Sequence, residues 1–159
     1  MQTSQQAAKH PKVLVIGERE VFSWSPGDHL SPSLAFVRQS SYAAWVRRYG
    51  SLVPADSVIV RNLLPPDPVS GAWDATAAKV NAHYVESYAD ERGLRMVFLG
   101  RRVARAFGMD FPLGSFIEGA GGCVDCLVLP HPSGRSRAWN DPVAAARYRR
   151  LFEEFVAAG

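Results

Sequence analysis

The fold predicted is a three-layer α/β domain with a small, four-stranded, mostly parallel sheet. Three observations predict it. First, apolar runs of strand length recur, and each stops at Gly, Pro or Asn. They are Val13-Leu14-Val15-Ile16 before Gly17, Val58-Ile59-Val60 before Arg61-Asn62, Met96-Val97-Phe98-Leu99 before Gly100, and Cys126-Leu127-Val128-Leu129 before Pro130. Such runs read as strands buried on both faces. Second, stretches of helical composition separate the runs, and strand–helix alternation produces parallel sheets covered by helices. Third, no apolar run is long enough to cross a bilayer, so no membrane span is expected.

Residues 1–11 are polar and lack the apolar core of a secretory signal, and they read as a short disordered lead. Residues 12–159 then form one domain, long enough to bury a core, with the cytoplasm as its expected location. The first strand covers residues 12–18. A loop rich in Ser, Pro and Gly follows to about residue 32, and loops of that length tend to be functional or disordered. Residues 33–49 read as helix, with Ser40-Ser41 as a candidate break and Gly50 just past the end. Residues 57–62 form the second strand, stopped by Leu63-Leu64-Pro65-Pro66. Residues 72–92 are helical, with Asp74 near the start and Gly93 past the end. The third strand is 94–100, and a short helix over 101–107 is closed by Gly108. Residues 110–122 read as loop. The fourth strand runs into Pro130-His131-Pro132-Ser133-Gly134, a stiff segment because proline fixes the backbone on both sides of the imidazole. Asn140-Asp141-Pro142 starts the last helix, which ends near Ala157 and buries a stripe of Tyr148, Leu151, Phe152 and Phe155.

Composition is that of an ordinary folded chain, 47% apolar and 21% charged, with a net charge of +3. Lysine occurs only at Lys9, Lys12 and Lys79, so the positive charge is mostly arginine. It clusters at Arg101, Arg102 and Arg105, at Arg135 and Arg137, and at Arg147, Arg149 and Arg150. Arginine forks match phosphate oxygens, which points weakly to a polyanion partner; an arginine-biased genome is the plain alternative. Cys123 and Cys126 form a C-x-x-C with no second pair, so neither a metal nor a disulfide is expected, and both read as structural.

In a parallel sheet the carboxyl ends of the strands share one rim, where open α/β sheets bind ligands. That rim collects Gly17-Glu18, Asn62 and His131. In order, these segments resemble the uracil-DNA glycosylase superfamily. Gly17-Glu18 resembles the first motif of its iron–sulfur branch, G-E-x-P-G. Ala35-Phe36-Val37-Arg38-Gln39-Ser40 resembles its phenylalanine segment, and Val60-Arg61-Asn62-Leu63 its asparagine strand end. Pro130-His131-Pro132-Ser133-Gly134 resembles its H-P-S loop. The Leu99-Gly100-Arg101-Arg102 turn into a helix also fits. The resemblance spans residues 12–155.

It implies a cofactor-free DNA glycosylase that turns a pyrimidine out of DNA, hydrolyses the N-glycosidic bond and leaves an abasic site. Phe36 would stack on the flipped base and Asn62 would read its polar edge. His131 would donate to the base oxygen where negative charge develops, and Glu18 would activate water or stabilise the oxocarbenium-like sugar. Ser133, Gly134, Arg135 and Arg137 would hold the DNA, one arginine filling the vacated space and the other a phosphate. Ser25, Ser33 and Ser136 are further phosphate donors, and Glu20 and Asp28 are reserve acids. The plain alternatives are a core Phe36, an Asn62 that satisfies the turn, a structural His131 and solvated loop arginines. A monomer is expected.

The chain departs from the family in its first motif. Gly17-Glu18-Arg19-Glu20-Val21-Phe22 lacks the aspartate, the tyrosine gate and the proline-glycine, and the cluster cysteines are missing. A missing gate leaves room for a pyrimidine larger than uracil, such as the hydroxymethylated or glucosylated cytosine of phage DNA, with a role in antiviral defence; excision of plain uracil is the alternative. No lysine stands in the rim motifs, so no Schiff-base lyase step is expected. Two other readings stay open. One is a non-catalytic nucleic-acid binder of the same fold. The other is a nucleotide or nucleoside hydrolase, disfavoured by the lack of a P-loop.

Overall fold

The structure is a computed structural model that describes residues 12–19, 47–49, 58–64, 73–119, 123–132 and 136–158. Its described elements are strands β1 (Val13–Arg19) and β2 (Val58–Leu64), helix α1 (Ala75–Arg92), strand β3 (Arg95–Leu99) and helix α2 (Arg101–Ala106). Strands β4 (Phe116–Ile117) and β5 (Cys126–Leu129), a 3-10 turn (Arg137–Asn140) and helix α3 (Pro142–Ala157) follow. The strands form one sheet in the order β2-β1-β3-β5-β4. β1, β2, β3 and β5 are mutually parallel where they pair, and β4 lies antiparallel on β5.

The fold is therefore α/β as expected, but the sheet has five strands among the described residues, not four. The extra strand sits inside the stretch read as loop. Two residues are too short to show any periodicity. Their position is fixed from outside, by Gly114 N–H donating to Val128 O (2.7 Å) and Val128 N–H donating to Ser115 O (3.0 Å). Gly114 turns the chain there with φ 89°, a left-handed conformation that favours glycine. β2 also runs two residues beyond the expected stop, through Leu63 and Leu64. A residue before proline is biased toward extended backbone, which suits Leu64 as a strand residue.

Side-chain alternation sorts β1, β3 and β5 between two cores. Leu14 and Ile16 of β1, Met96 and Phe98 of β3, and Cys126 and Val128 of β5 pack with α1 and α2. Val13 and Val15, Val97 and Leu99, and Leu127 and Leu129 point the other way and pack with Tyr49, Trp139, Phe152 and Phe155. Two covered faces make three layers. They also explain why the strands read as continuous apolar runs: Val13, Leu14, Val15 and Ile16 are all fully buried.

The helices begin and end where the sequence signals them. Asp74 caps α1, accepting from Ala77 N–H at 3.0 Å, and Gly93 ends it with φ 63°. α1 buries Ala78, Ala82, Val85 and Ala89. The spacing keeps them on one face, and their small size lets the helix lie close to the sheet. Asp141 caps α3 by accepting from Val143 N–H at 3.0 Å, with Pro142 in the first turn. Phe152 and Phe155 of α3 are buried as expected, while Tyr148 and Leu151 are partly so. Of the helix expected over 33–49, residues 47–49 are helical; the remainder, like the lead at 1–11, lies outside the described residues.

Candidate functional site

The order of the sheet locates the rim crevice. From β1 the chain moves to β2 on one side, then returns to β3 on the other. The switch point lies between β1 and β3, and ligands of doubly wound sheets bind beyond it. Glu18 stands at the end of β1 and Gly100 directly follows β3.

Gly17 pairs with Asn62 across β1 and β2. A Cβ built on Gly17 would collide with Asn62 Oδ1, so the amide lies directly over the glycine. That close approach is what the glycine provides. Behind it, Asn81 Nδ2 of α1 donates to Leu63 O at 2.7 Å and ties down the end of β2.

Glu18 reaches across the switch point to α2. Arg102 grips it with both edges of the guanidinium: Nε donates to Oε2 at 2.8 Å and Nη2 to Oε1 at 2.6 Å. Arg102 also stacks on Trp73, its Cζ 4.8 Å from the ring centroid. Trp73 directly precedes the Asp74 cap of α1. The bonds to Glu18 push the Arg102 pKa up, so the guanidinium stays charged. A half-exposed pair of this kind contributes only about 0–1 kcal/mol to stability. Its consequence is therefore where it holds the carboxylate.

His131 follows β5 between Pro130 and Pro132, both buried. Its loop is pinned on each side of the imidazole. Tyr49 Oη donates to Pro130 O at 2.5 Å, and Trp139 Nε1 donates to His131 O at 2.8 Å. Burial raises the Tyr49 pKa well above its ordinary value, so this hydroxyl remains a donor. Burial lowers the His131 pKa; Glu18 opposes that shift and Arg102 adds to it. The imidazole is thus neutral at neutral pH, able to donate from one nitrogen and accept at the other.

Glu18 and Asn62 thus lie in the last residues of β1 and β2, and His131 two residues beyond β5, all towards the same rim of the parallel strands. Arg137 is exposed on the 3-10 turn beyond the histidine, with Ser136 before it. Phe36, Ser133, Gly134 and Arg135 lie outside the described residues, as do Glu20, Ser25, Asp28 and Ser33. Sequence reasoning missed Arg102 and Trp73 as site residues, and Tyr49 and Trp139 as supports. One signal for Arg102 was present: it stands two residues after Gly100, in the first turn of the helix that follows β3.

The arginine clusters are partly neutralised within the chain. Arg101 Nη2 and Arg105 Nε both reach Asp110 Oδ1 at 3.2 Å, and Arg149 Nε reaches Glu153 at 3.1 Å. Cys126 is buried, and burial pushes its thiol up to about 12; Cys123 is exposed. Among the described residues, no three His, Cys, Asp or Glu side chains are grouped to hold a metal. No helix among them is long and apolar enough to cross a membrane.

No protein-family model matches the chain, and no curated protein matches it.

Proposed function

We propose that the chain is a monofunctional DNA glycosylase that hydrolyses the N-glycosidic bond of a flipped pyrimidine. The base is uracil or a bulky modified pyrimidine such as glucosylated hydroxymethylcytosine, and the enzyme works as a monomer in the cytoplasm, in repair or in defence against phage. One observation carries the reading. A carboxylate, an amide and a half-buried neutral imidazole lie towards the carboxyl ends of β1, β2 and β5, about the switch point of the sheet.

The chemistry follows from where charge develops. As the glycosidic bond breaks, the sugar becomes cationic and the departing base anionic. A neutral His131 that donates a hydrogen bond to the base oxygen meets that charge with a fixed dipole and without surrendering a proton. Glu18 supplies the opposite charge for the sugar, or accepts a proton from the attacking water. A carboxylate has about four lone-pair positions, and the Arg102 fork occupies one on each oxygen, so acceptor capacity remains. Asn62 offers two donors and one acceptor to the base edge.

A second reading, a non-catalytic nucleic-acid binder, is favoured by that same fork, which already engages both Glu18 oxygens. Glu18→Ala and His131→Ala separate the two. A glycosylase loses base release from its substrate DNA in both variants while retaining DNA binding. A binder shows no release to lose, and both variants bind as the parent does.

A further inference from the structure

We propose that Arg102 is a positioning residue of this rim: forked onto Glu18 and stacked on Trp73, it fixes the carboxylate across the β1–β3 switch point and balances its charge beside His131. The catalytic part rests on the glycosylase reading above. The charge-balancing part does not.

Three observations combine. The fork is bidentate, 2.8 Å and 2.6 Å, so it sets the plane of the carboxylate as well as its place. The guanidinium is itself held from its face by Trp73, from a different element, so it is clamped from two directions. Gly100 lies next to the carboxylate. With φ 111° it adopts a backbone open to glycine, and a Cβ there would stand 3.7 Å from Glu18 Oε2. Arg102 follows two residues later on α2, so the strand end, the turn and the arginine are consecutive in the chain.

The charges around His131 come from identifiable elements. Glu18 acts on it from β1 and Arg102 from α2, with opposite signs. The 47–49 segment brings Tyr49 onto Pro130 O and Arg48 over the Trp139 ring, and the 3-10 turn brings Trp139 onto the His131 carbonyl. A lone carboxylate at the rim would draw a proton onto the imidazole and remove the neutral donor the chemistry needs. Arg102 supplies the compensating charge. It is also a geometric anchor that lysine cannot replace, because an ammonium has no planar fork.

The test reads two signals from the full chain. The first is the midpoint of the His131 imidazole titration by NMR, which needs no substrate. Arg102→Gln is expected to raise it, Glu18→Gln to lower it, and Arg102→Lys to leave it near the parent value. The second is base release from DNA. Both Arg102 variants are expected to lower kcat roughly ten- to a hundredfold with KM little changed, since a displaced group costs rate more than binding. A His131 midpoint indifferent to Arg102→Gln overturns the proposal. So does a raised KM with unchanged kcat, which assigns Arg102 to a DNA phosphate. If no DNA releases a base, the glycosylase reading falls, and the titration still decides whether Arg102 balances Glu18.

Discussion

At the scale of single residues, the rim depends on one missing side chain. Gly17 leaves the space that the Asn62 amide occupies. Gly17→Ala forces the two apart, and overpacking of this kind costs about 1–3 kcal/mol. Urea unfolding of Gly17→Ala, Asn62→Ala and the double variant checks this. The double variant is expected to be less destabilised than the sum, because residues in contact are not additive. Glu18, Asn62 and His131 were legible in the sequence because each follows closely on an apolar run of strand length, although β1 and β2 continue past the first two, through Arg19 and Leu64. Arg102 was not, because its partner lies 84 residues away. Only the register between β1 and β3 brings the two together. The basic cluster at 101–105 was legible as charge. That Asp110 and Glu18 take it up was not.

At the scale of elements, the histidine loop is held by neighbours rather than by its own sequence. Tyr49 Oη is a buried donor to Pro130 O, and the ring meets Trp139 edge-on at 5.3 Å and Phe152 at 5.4 Å. Tyr49→Phe preserves the ring packing and orphans one carbonyl, a loss of about 1–3 kcal/mol. The expected outcome is a lower melting temperature together with faster hydrogen exchange around His131. A change in stability with no local change in exchange would place the loop's support elsewhere. The long strands and helices were legible because their apolar periods and caps agree. β4 was not, since a two-residue strand is defined by its partner β5 and by the Gly114 turn rather than by any pattern of its own.

At the scale of the molecule, α/β alternation was enough to anticipate the layers, because β1, β2, β3 and β5 divide their side chains between two helix-covered cores. That architecture hosts many chemistries, so function rests on the rim groups. Burying His131 has a global consequence. Its pKa is lowered from the ordinary 6.5, so below that value the unfolded chain binds a proton that the folded chain resists. Stability therefore falls as pH drops through 6.5 and is fully present above it. Asp110 behaves differently: Arg105 and Arg101 hold its carboxyl below 3.8, and its contribution is lost only in stronger acid. Thermal unfolding between about pH 5 and about pH 7 reads this window, and His131→Gln is expected to flatten the slope there.

The most direct measurement is the release of free base from a panel of defined DNAs. The panel carries uracil, thymine mismatches, hydroxymethylcytosine and its glucosylated forms, with alkaline cleavage to reveal abasic sites. The expected result is release from one of these substrates, abolished by His131→Ala and by Asn62→Ala. Salt-sensitive DNA binding with no base released from any member of the panel would contradict it.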